Sequence, residues 1–318
     1  KLSHLIFKCI FAIDKQTPMI KLKAWISAAR LRTLPLSVAG IISAAAAAKE
    51  LGLFSVAIFG LSLATTLGLQ ILSNYANDYG DGVKGTDNHE RVGPMRAMQS
   101  GALSATTLKK GIAATAFITL ILASLLIYIS FRNENIWHST VFLILGISAI
   151  VAAITYTVGR YAYGYRALGD LFVFLFFGLL SVLGGYFLYA KTIDNYIVLP
   201  AVVIGLLSTA VLNVNNMRDR IADANAGKTT LAVLLGGKKI KQYHYFLVLG
   251  AAIAALLYFI LKDAPWHGYI PMVAFVPLLI HLKKVRQIDS PPDFDPELKK
   301  VALSTFLFSV LFFVSTWI

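Results

Sequence analysis

Nine long apolar stretches, parted by short polar segments, constrain this chain more than any other feature. They cover residues 34–48, 53–74, 107–130, 137–158, 168–190, 196–216, 243–261, 267–282 and 301–317. About 20 apolar residues in helical form are enough to cross a bilayer. Within hydrocarbon every backbone N–H and C=O needs a partner from the chain itself, which leaves helices or a closed barrel. The period-two alternation of a barrel is missing, so the spans read as helices. Composition agrees: 57% of the 318 residues are hydrophobic and 14% charged, with a mean hydropathy of +0.70, above the range of soluble domains. No loop is long enough for a second core. The expected fold is therefore all-α, a polytopic membrane protein with nine transmembrane helices in one bundle.

A net charge of +13 raises the possibility of nucleic acid as a partner, but its distribution excludes that reading. Of the 29 Lys and Arg residues, 25 fall in alternate polar segments, beginning with the one before the first span. Cytoplasmic loops of membrane proteins carry such an excess. The pattern places the N-terminus in the cytoplasm and the C-terminus outside, in a bacterial cytoplasmic (inner) membrane. The basic excess then reflects topology and contact with the lipid bilayer or an anionic substrate. The single Cys9 excludes an internal disulfide and a cysteine metal framework. Residues 1–19 lack a signal-peptide cleavage site and read as an N-terminal extension, with Met19 as the expected start; residues 20–318 form the single membrane domain. Residues 20–33 read as an amphipathic interfacial helix, and 283–300 as a solvated linker.

The second and sixth spans both run from outside to inside, and each ends in a polar stripe. The first stripe is Asn74-x-x-x-Asp78-x-x-Asp81; the second is Asn215-x-x-x-Asp219-x-x-x-Asp223. Residues three, four, seven or eight apart share one side of a helix. Like charges one turn apart repel mildly unless a cation bridges them. Hard cations with oxygen ligands, Mg²⁺ first, answer that need, with Asp78, Asp81, Asp219, Asp223, Asn74 and Asn215 as ligands. Lys84, Arg91 and Arg96 follow the first stripe, Arg160 and Arg166 occupy the next basic loop, and Lys228 follows the second stripe. Carboxylates, a divalent metal and basic side chains together bind diphosphate. No P-loop motif is present, so a lipid diphosphate whose tail lies in the bilayer fits better than a hydrolysed nucleotide. Such a site sits in a cavity on the cytoplasmic side. The blander alternative is two solvated acidic helix ends; the matching stripes on one membrane face argue against it. An ion-coupled transporter is a further alternative, weakened by the position of the acids at span ends rather than at mid-membrane. Phe172, Phe174, Phe176, Phe177, Tyr186 and Tyr189 are candidates for an apolar or cation-stabilising pocket. His89, His138 and His244 are scattered and receive no role.

AARLRTLPLS (28–37), LQILSNYANDYGDGVKGTDNHERVGPMRAMQSG (69–101), AAITYTVGRYAYGYRALGD (152–170) and AVLNVNNMRDRIADANAGKTTLAVLLG (210–236) resemble the UbiA superfamily of intramembrane prenyltransferases. The resemblance extends over nearly the whole chain from Met19 and is nearest to the branch acting on 1,4-dihydroxy-2-naphthoate in menaquinone synthesis. The family pattern ND-x-x-D-x-x-x-D is met by Asn77, Asp78 and Asp81, but Gly85 stands at its last position and the next acid is Asp87. The second motif, Asp219 to Asp223, matches fully. The resemblance implies transfer of a polyprenyl group from polyprenyl diphosphate to the naphthoate. Demethylmenaquinone forms, and diphosphate and CO₂ are released. It implies Mg²⁺ held by Asp78, Asp81, Asp219 and Asp223, with Arg160, Lys84 and Lys228, then Arg91 and Arg96, on the diphosphate. Arg30 and Tyr156 are expected at the acidic aromatic acceptor. Another acceptor, 4-hydroxybenzoate, remains an alternative.

Overall fold

In the computed structural model residues 18–87 and 92–318 are described, with side chains from Leu22 onward. Most of the expected N-terminal extension lies outside them. Among the described residues nine helices are long and apolar enough to cross a membrane. A first helix, α1 (Pro18–Ala29), precedes α2 (Leu34–Glu50), α3 (Val56–Lys84), α4 (Ala105–Phe131) and α5 (Ile136–Thr155). Next come α6 (Gly169–Ala190), α7 (Val198–Asn225), α8 (Leu231–Leu261), α9 (Phe275–Gln287) and α10 (Asp295–Ser315). A 3₁₀ segment, Trp266–Ala274, leads into α9.

Local signals explain the boundaries. Ser55, Ser104, Asn135 and Thr230 cap the N-termini of α3, α4, α5 and α8 through side-chain oxygens. Pro35 sits in the first turn of α2, where its missing N–H costs nothing. The amphipathic segment expected at 20–33 is broken at Arg30, whose backbone is left-handed with φ of 50°. Helix α1 therefore ends there and lies across α3, with Trp25 edge-on to Tyr75 at 5.0 Å. The seventh span starts earlier than 243–261, because the amphipathic run from Leu231 is helical too. It is interrupted at Gly236, where φ is 70°, a conformation that glycine adopts without steric cost.

Helix α7 is the most buried of the nine and packs along α8, α6 and α10. A Cβ on Gly178 would lie 2.5 Å from Gly205 Cα, so the α6–α7 crossing depends on bare backbone. The middle of α6, Phe174–Gly184, is wound as a π-helix. A buried polar chain ties α7 to α10: His244 Nδ1 is 3.1 Å from Asn213, its Nε2 is 2.7 Å from His281 Nε2, and His281 Nδ1 is 2.7 Å from Glu297. Lys300 donates to the same carboxylate at 2.6 Å. His244, given no role by sequence, is thus an interhelical tie. The segment 283–300 is no solvated linker. Ile288, Phe294 and Glu297 are buried, and Asp295 pairs with Arg218 of α7 at 2.6 Å. Its Pro-Pro and charge pattern hid four inward-facing positions, Val285 being the other.

Candidate active site

Helix α3 does not stop at the end of its apolar run. It continues through the first stripe to Lys84, so Asn74, Asp78 and Asp81 share its inner face and all are buried. Gly85, with φ of 73°, ends the helix as an αL cap. The following turn brings Asp87 back: its N–H reaches Asp81 O, and its carboxylate lies 3.5 Å from Arg96 Nε. Asp87, off the family pattern in sequence, therefore rejoins the stripe through the cap geometry. Arg96 also faces Asp81 at 3.6 Å. Asp78 accepts the backbone N–H of Ala97 and of Met98, both at 3.1 Å, clamping the loop over the helix end.

The second stripe is built by charge. Arg218 grips Asp219 through Nε at 2.9 Å and Nη2 at 2.7 Å. It also bonds Asn215 Oδ1 at 2.8 Å and Asp295 at 2.6 Å. Lys228 pairs with Asp223 at 3.4 Å. The Oδ2 of Asp223 is buried without a hydrogen-bond partner among the described residues. Burial opposes the charge on Lys228, but Asp81 and Asp223, with Asp219 behind them, outweigh it and hold the ammonium above the ordinary lysine value. Acids of both stripes thus act on one cation.

Tyr165, from the loop between α5 and α6, joins the halves. Its hydroxyl is 2.7 Å from Asp81 Oδ1 and 2.6 Å from Thr86 Oγ1. Lys84 Nζ lies 4.0 Å and Lys228 Nζ 5.5 Å from its ring centroid. Burial first, then the Asp81 charge, raises the phenol above the ordinary tyrosine value, so it remains a donor at neutral pH. Sequence reasoning missed Tyr165, Thr86 and Arg218. For Arg218 a signal existed, a guanidinium one position before Asp219 and three after Asn215 on a buried helix.

Beneath this polar mouth lies a cavity of about 750 Å³. Asn74, Asp78, Asp81, Arg96, Asn215, Arg218 and Lys228 line one part of it, with Arg30 and Tyr156 beside them. Leu126, Ile127, Phe142, Leu145 and Leu188 line another, toward the opposite end of the bundle. Phe172, Phe176 and Phe177 are in the wall, as the sequence suggested; Phe174 instead packs on Gly205, and Tyr186 and Tyr189 are buried in the core. Asp219 and Asp223 meet the cavity through Arg218 and Lys228. Asn74 spends its amide N–H groups on Ala29 O at 2.8 Å and Thr33 Oγ1 at 3.1 Å, and so holds the α1–α2 junction that carries Arg30. Arg160 is not brought in: it is exposed and lies over the Tyr161 ring at 5.7 Å. The glycine before it has a left-handed backbone, with φ of 92°. Arg91 lies outside the described residues.

No three His, Cys, Asp or Glu side chains among the described residues converge on a point that holds a metal unaided. Mg²⁺ is usually held by one or two carboxylates plus substrate phosphate oxygens. The donor set fits that mode: oxygen ligands only, an unpartnered carboxylate oxygen on Asp223, and cations placed for the remaining phosphate charge.

Residues 37–313 match the model of the UbiA prenyltransferase family. The 1,4-dihydroxy-2-naphthoate octaprenyltransferase of Haemophilus influenzae is 44% identical over 92% of this chain and 95% of its own length. The enzyme of the same name from Escherichia coli is 39% identical over 93% and 96%. Among solved structures, the UbiA homologue of Archaeoglobus fulgidus bound to GPP and Mg²⁺ superposes with a TM-score of 0.61 at 18% identity, covering 91% of this chain and 99% of that one.

Proposed function

The chain belongs to the UbiA prenyltransferase family, and from that membership we propose that it transfers a polyprenyl group from polyprenyl diphosphate to 1,4-dihydroxy-2-naphthoate, releasing diphosphate and CO₂. The observation that carries this reading is the cavity that joins an acid-and-cation mouth to an apolar chamber. A diphosphate head and a hydrocarbon tail are satisfied together only in such a space. The names of the relatives from Haemophilus influenzae and Escherichia coli support the naphthoate as acceptor.

In this reading Asp78, Asp81, Asp219 and Asp223 would hold Mg²⁺, with Asn74 and Asn215 as neighbouring oxygen donors. The ion, when bound, supplies charge neutralisation to the leaving diphosphate. Lys228, Arg96 and Lys84 take up the phosphate charge that remains. Arg218 fixes Asp219 through two hydrogen bonds. The apolar chamber shelters an allylic cation from water, and the aromatic residues Tyr163, Phe172 and Phe176 stand in its wall. Arg30 pairs with the acceptor carboxylate and Tyr156 with its hydroxyl. The excess of Lys and Arg in alternate loops supports a mouth on the cytoplasmic side, with the N-terminus on that side, the C-terminus outside, and the chain in a bacterial cytoplasmic membrane.

Purified protein in lipid nanodiscs, supplied with the naphthoate, a polyprenyl diphosphate and Mg²⁺, is expected to form demethylmenaquinone and to lose activity on chelation. Folded protein that forms no product with all three present overturns the reading. Faster transfer to 4-hydroxybenzoate in the same assay replaces the acceptor and keeps the reaction class.

A further inference from the structure

Gln70 lines the cavity and has no part in the chemistry described so far. It lies on α3, one turn from Asn74 and two turns from Asp78 on the same helix face. At the helical rise per residue it stands about 12 Å deeper than Asp78. It is half-buried. Its amide nitrogen donates to Thr33 Oγ1 at 3.3 Å and to Asn74 Oδ1 at 3.4 Å.

Two backbone carbonyls fix which way this amide points. Thr33 Oγ1 donates to Arg30 O at 2.9 Å. Its one proton is then spent, and toward its other neighbours it can only accept. Asn74 Nδ2 donates to Ala29 O at 2.8 Å and to Thr33 Oγ1 at 3.1 Å, which leaves Asn74 Oδ1 for Gln70. A reversed Gln70 amide would set its oxygen against Thr33 Oγ1 and Asn74 Oδ1, neither of which has a proton to give. Reversing Asn74 as well would set its oxygen against Ala29 O. Both protons of the Gln70 amide are therefore used at the α1–α2 junction. Its Oε1 accepts no hydrogen bond among the described residues, yet it is not sealed among protein atoms. A polar oxygen in a membrane-spanning helix carries a cost when unpaired, and such a group calls for a reason.

We propose that Gln70 Oε1 recognises the aromatic acceptor by accepting the hydrogen bond of its 4-hydroxyl. This rests on the naphthoate reading above. The 1-hydroxyl of that acid adjoins the carboxylate, and Arg30 and Tyr156 serve that edge. The 4-hydroxyl lies further round the ring with a proton to donate. A glutamine oxygen only accepts, and this one is held in place by a network that ends on main-chain atoms. One junction carries both recognition groups: Thr33, bonded to Gln70, is three residues after Arg30 and bonds to the Arg30 carbonyl. The allylic carbon is attached directly to its diphosphate, so the ring that attacks it lies close inside the acid-and-cation mouth. Arg30 and Gln70 both line the cavity there, beside Asn74 and Asp78. A site built to pair with a substrate hydroxyl discriminates against an analogue that lacks it, because the protein group is then left unpaired.

Gln70 has a structural alternative, that of tying α3 to the α1–α2 junction and nothing more. Gln70→Met keeps the length of the side chain and removes its polar atoms. The probe is 1-hydroxy-2-naphthoate, which retains the carboxylate edge and lacks the 4-hydroxyl, used as a competitive inhibitor. One hydrogen bond in a site of this kind changes binding by about 3- to 10-fold. In Gln70→Met the KM for 1,4-dihydroxy-2-naphthoate is expected to rise by that factor, while the inhibition constant of the probe stays within about twofold of wild type. A displaced junction would shift both values alike, since both molecules share the edge that Arg30 serves. An unchanged KM, or a rise in the inhibition constant as large as that in KM, overturns the proposal while wild-type product formation keeps the naphthoate reading. Size-exclusion profiles and thermal unfolding are measured alongside. If Gln70→Met is unfolded or inactive, the wild-type protein carries the test with two inhibitors of equal size, 1-hydroxy-4-amino-2-naphthoate and 1-hydroxy-4-methyl-2-naphthoate. Tighter inhibition by the amino compound, by about 3-fold or more, supports a fixed acceptor at this position, and equal inhibition overturns it. Absence of product from folded wild-type protein overturns the naphthoate reading and this proposal together.

Discussion

The two acidic stripes look alike in sequence and are held in different ways. The first, among the described residues, is held in large part by neutral donors. Ala97 N–H and Met98 N–H fix Asp78, and the Tyr165 hydroxyl fixes Asp81; Arg96, at 3.5 and 3.6 Å, is the nearby guanidinium. The second is locked by full ion pairs, Arg218 on Asp219 and Asp295 and Lys228 on Asp223. Neutral donors orient a carboxylate without cancelling its charge, whereas a guanidinium does both. Asp81 therefore keeps more of its charge open to a metal–diphosphate complex than Asp219 does, while the second stripe contributes fixed geometry and cations. The halves of the site are alike in motif and unlike in electrostatics.

The sharpest way to break this comparison is to remove the two arginines in turn. Arg218→Ala leaves Asp219 buried and uncompensated, and loss of one partner of such a pair costs about 3–5 kcal/mol. Thermal unfolding in detergent should fall accordingly. Arg96→Ala removes longer contacts beside carboxylates that have other donors, and should cost about 1 kcal/mol or less. Equal losses from the two would show that the stripes are held alike.

A second test concerns the retained charge. Asp81→Asn keeps the size and can still accept from Tyr165, but removes the first stripe's more open charge from the four-carboxylate metal site. Prenyl transfer should fall by about 100-fold, the upper range seen when the support of a metal site is disturbed. The Mg²⁺ concentration for half-maximal rate should rise. An unaltered Mg²⁺ requirement would take Asp81 out of the metal's ligands and leave the ion to the other carboxylates.

These asymmetries bear on what the sequence made legible. Spacing placed Asn74, Asp78 and Asp81 on one helix face because helical period is a local property, and the nine spans followed from hydropathy. The partners of the stripes are not local. Tyr165 reaches Asp81 across a sequence separation of 84 residues, and Asp295 reaches Arg218 across 77. Nothing in an apolar pattern marks such pairings. Asp87 looked off pattern because a linear motif does not represent the turn at Gly85. Arg160 was implied by the family resemblance, and a motif in sequence does not say that its side chain stands outside the cavity wall, over Tyr161.

A smaller effect sharpens the role of the neutral clamp. Tyr165→Phe deletes one hydroxyl and keeps the ring on which Lys84 and Lys228 rest. A net hydrogen bond is worth about 0.5–1.5 kcal/mol, somewhat more to a charged partner. The KM for polyprenyl diphosphate is expected to rise several-fold with little change in unfolding temperature. Loss of stability without change in KM would make Tyr165 a loop anchor rather than an orienter of Asp81.

The smallest effect is expected at Arg160, and it tests whether the basic loops act by position or by mere abundance. Its guanidinium is exposed and packs against Tyr161, outside the cavity wall formed by Arg30, Arg96, Arg218 and Lys228. An exposed charge about a Debye length from its target, roughly 8 Å at physiological salt, is largely screened. Substitution at such a site usually changes stability by no more than about 0.5 kcal/mol. Arg160→Ala should therefore leave kcat and both KM values within about twofold of wild type, and low salt should enlarge whatever difference exists. A loss of 100-fold instead would mean that the loop swings inward when diphosphate binds, adding Arg160 to the neutralising set of the first half-site. The contrast between an open, negatively charged half and a closed, paired half would then describe the protein before substrate arrives and not the complex in which transfer takes place.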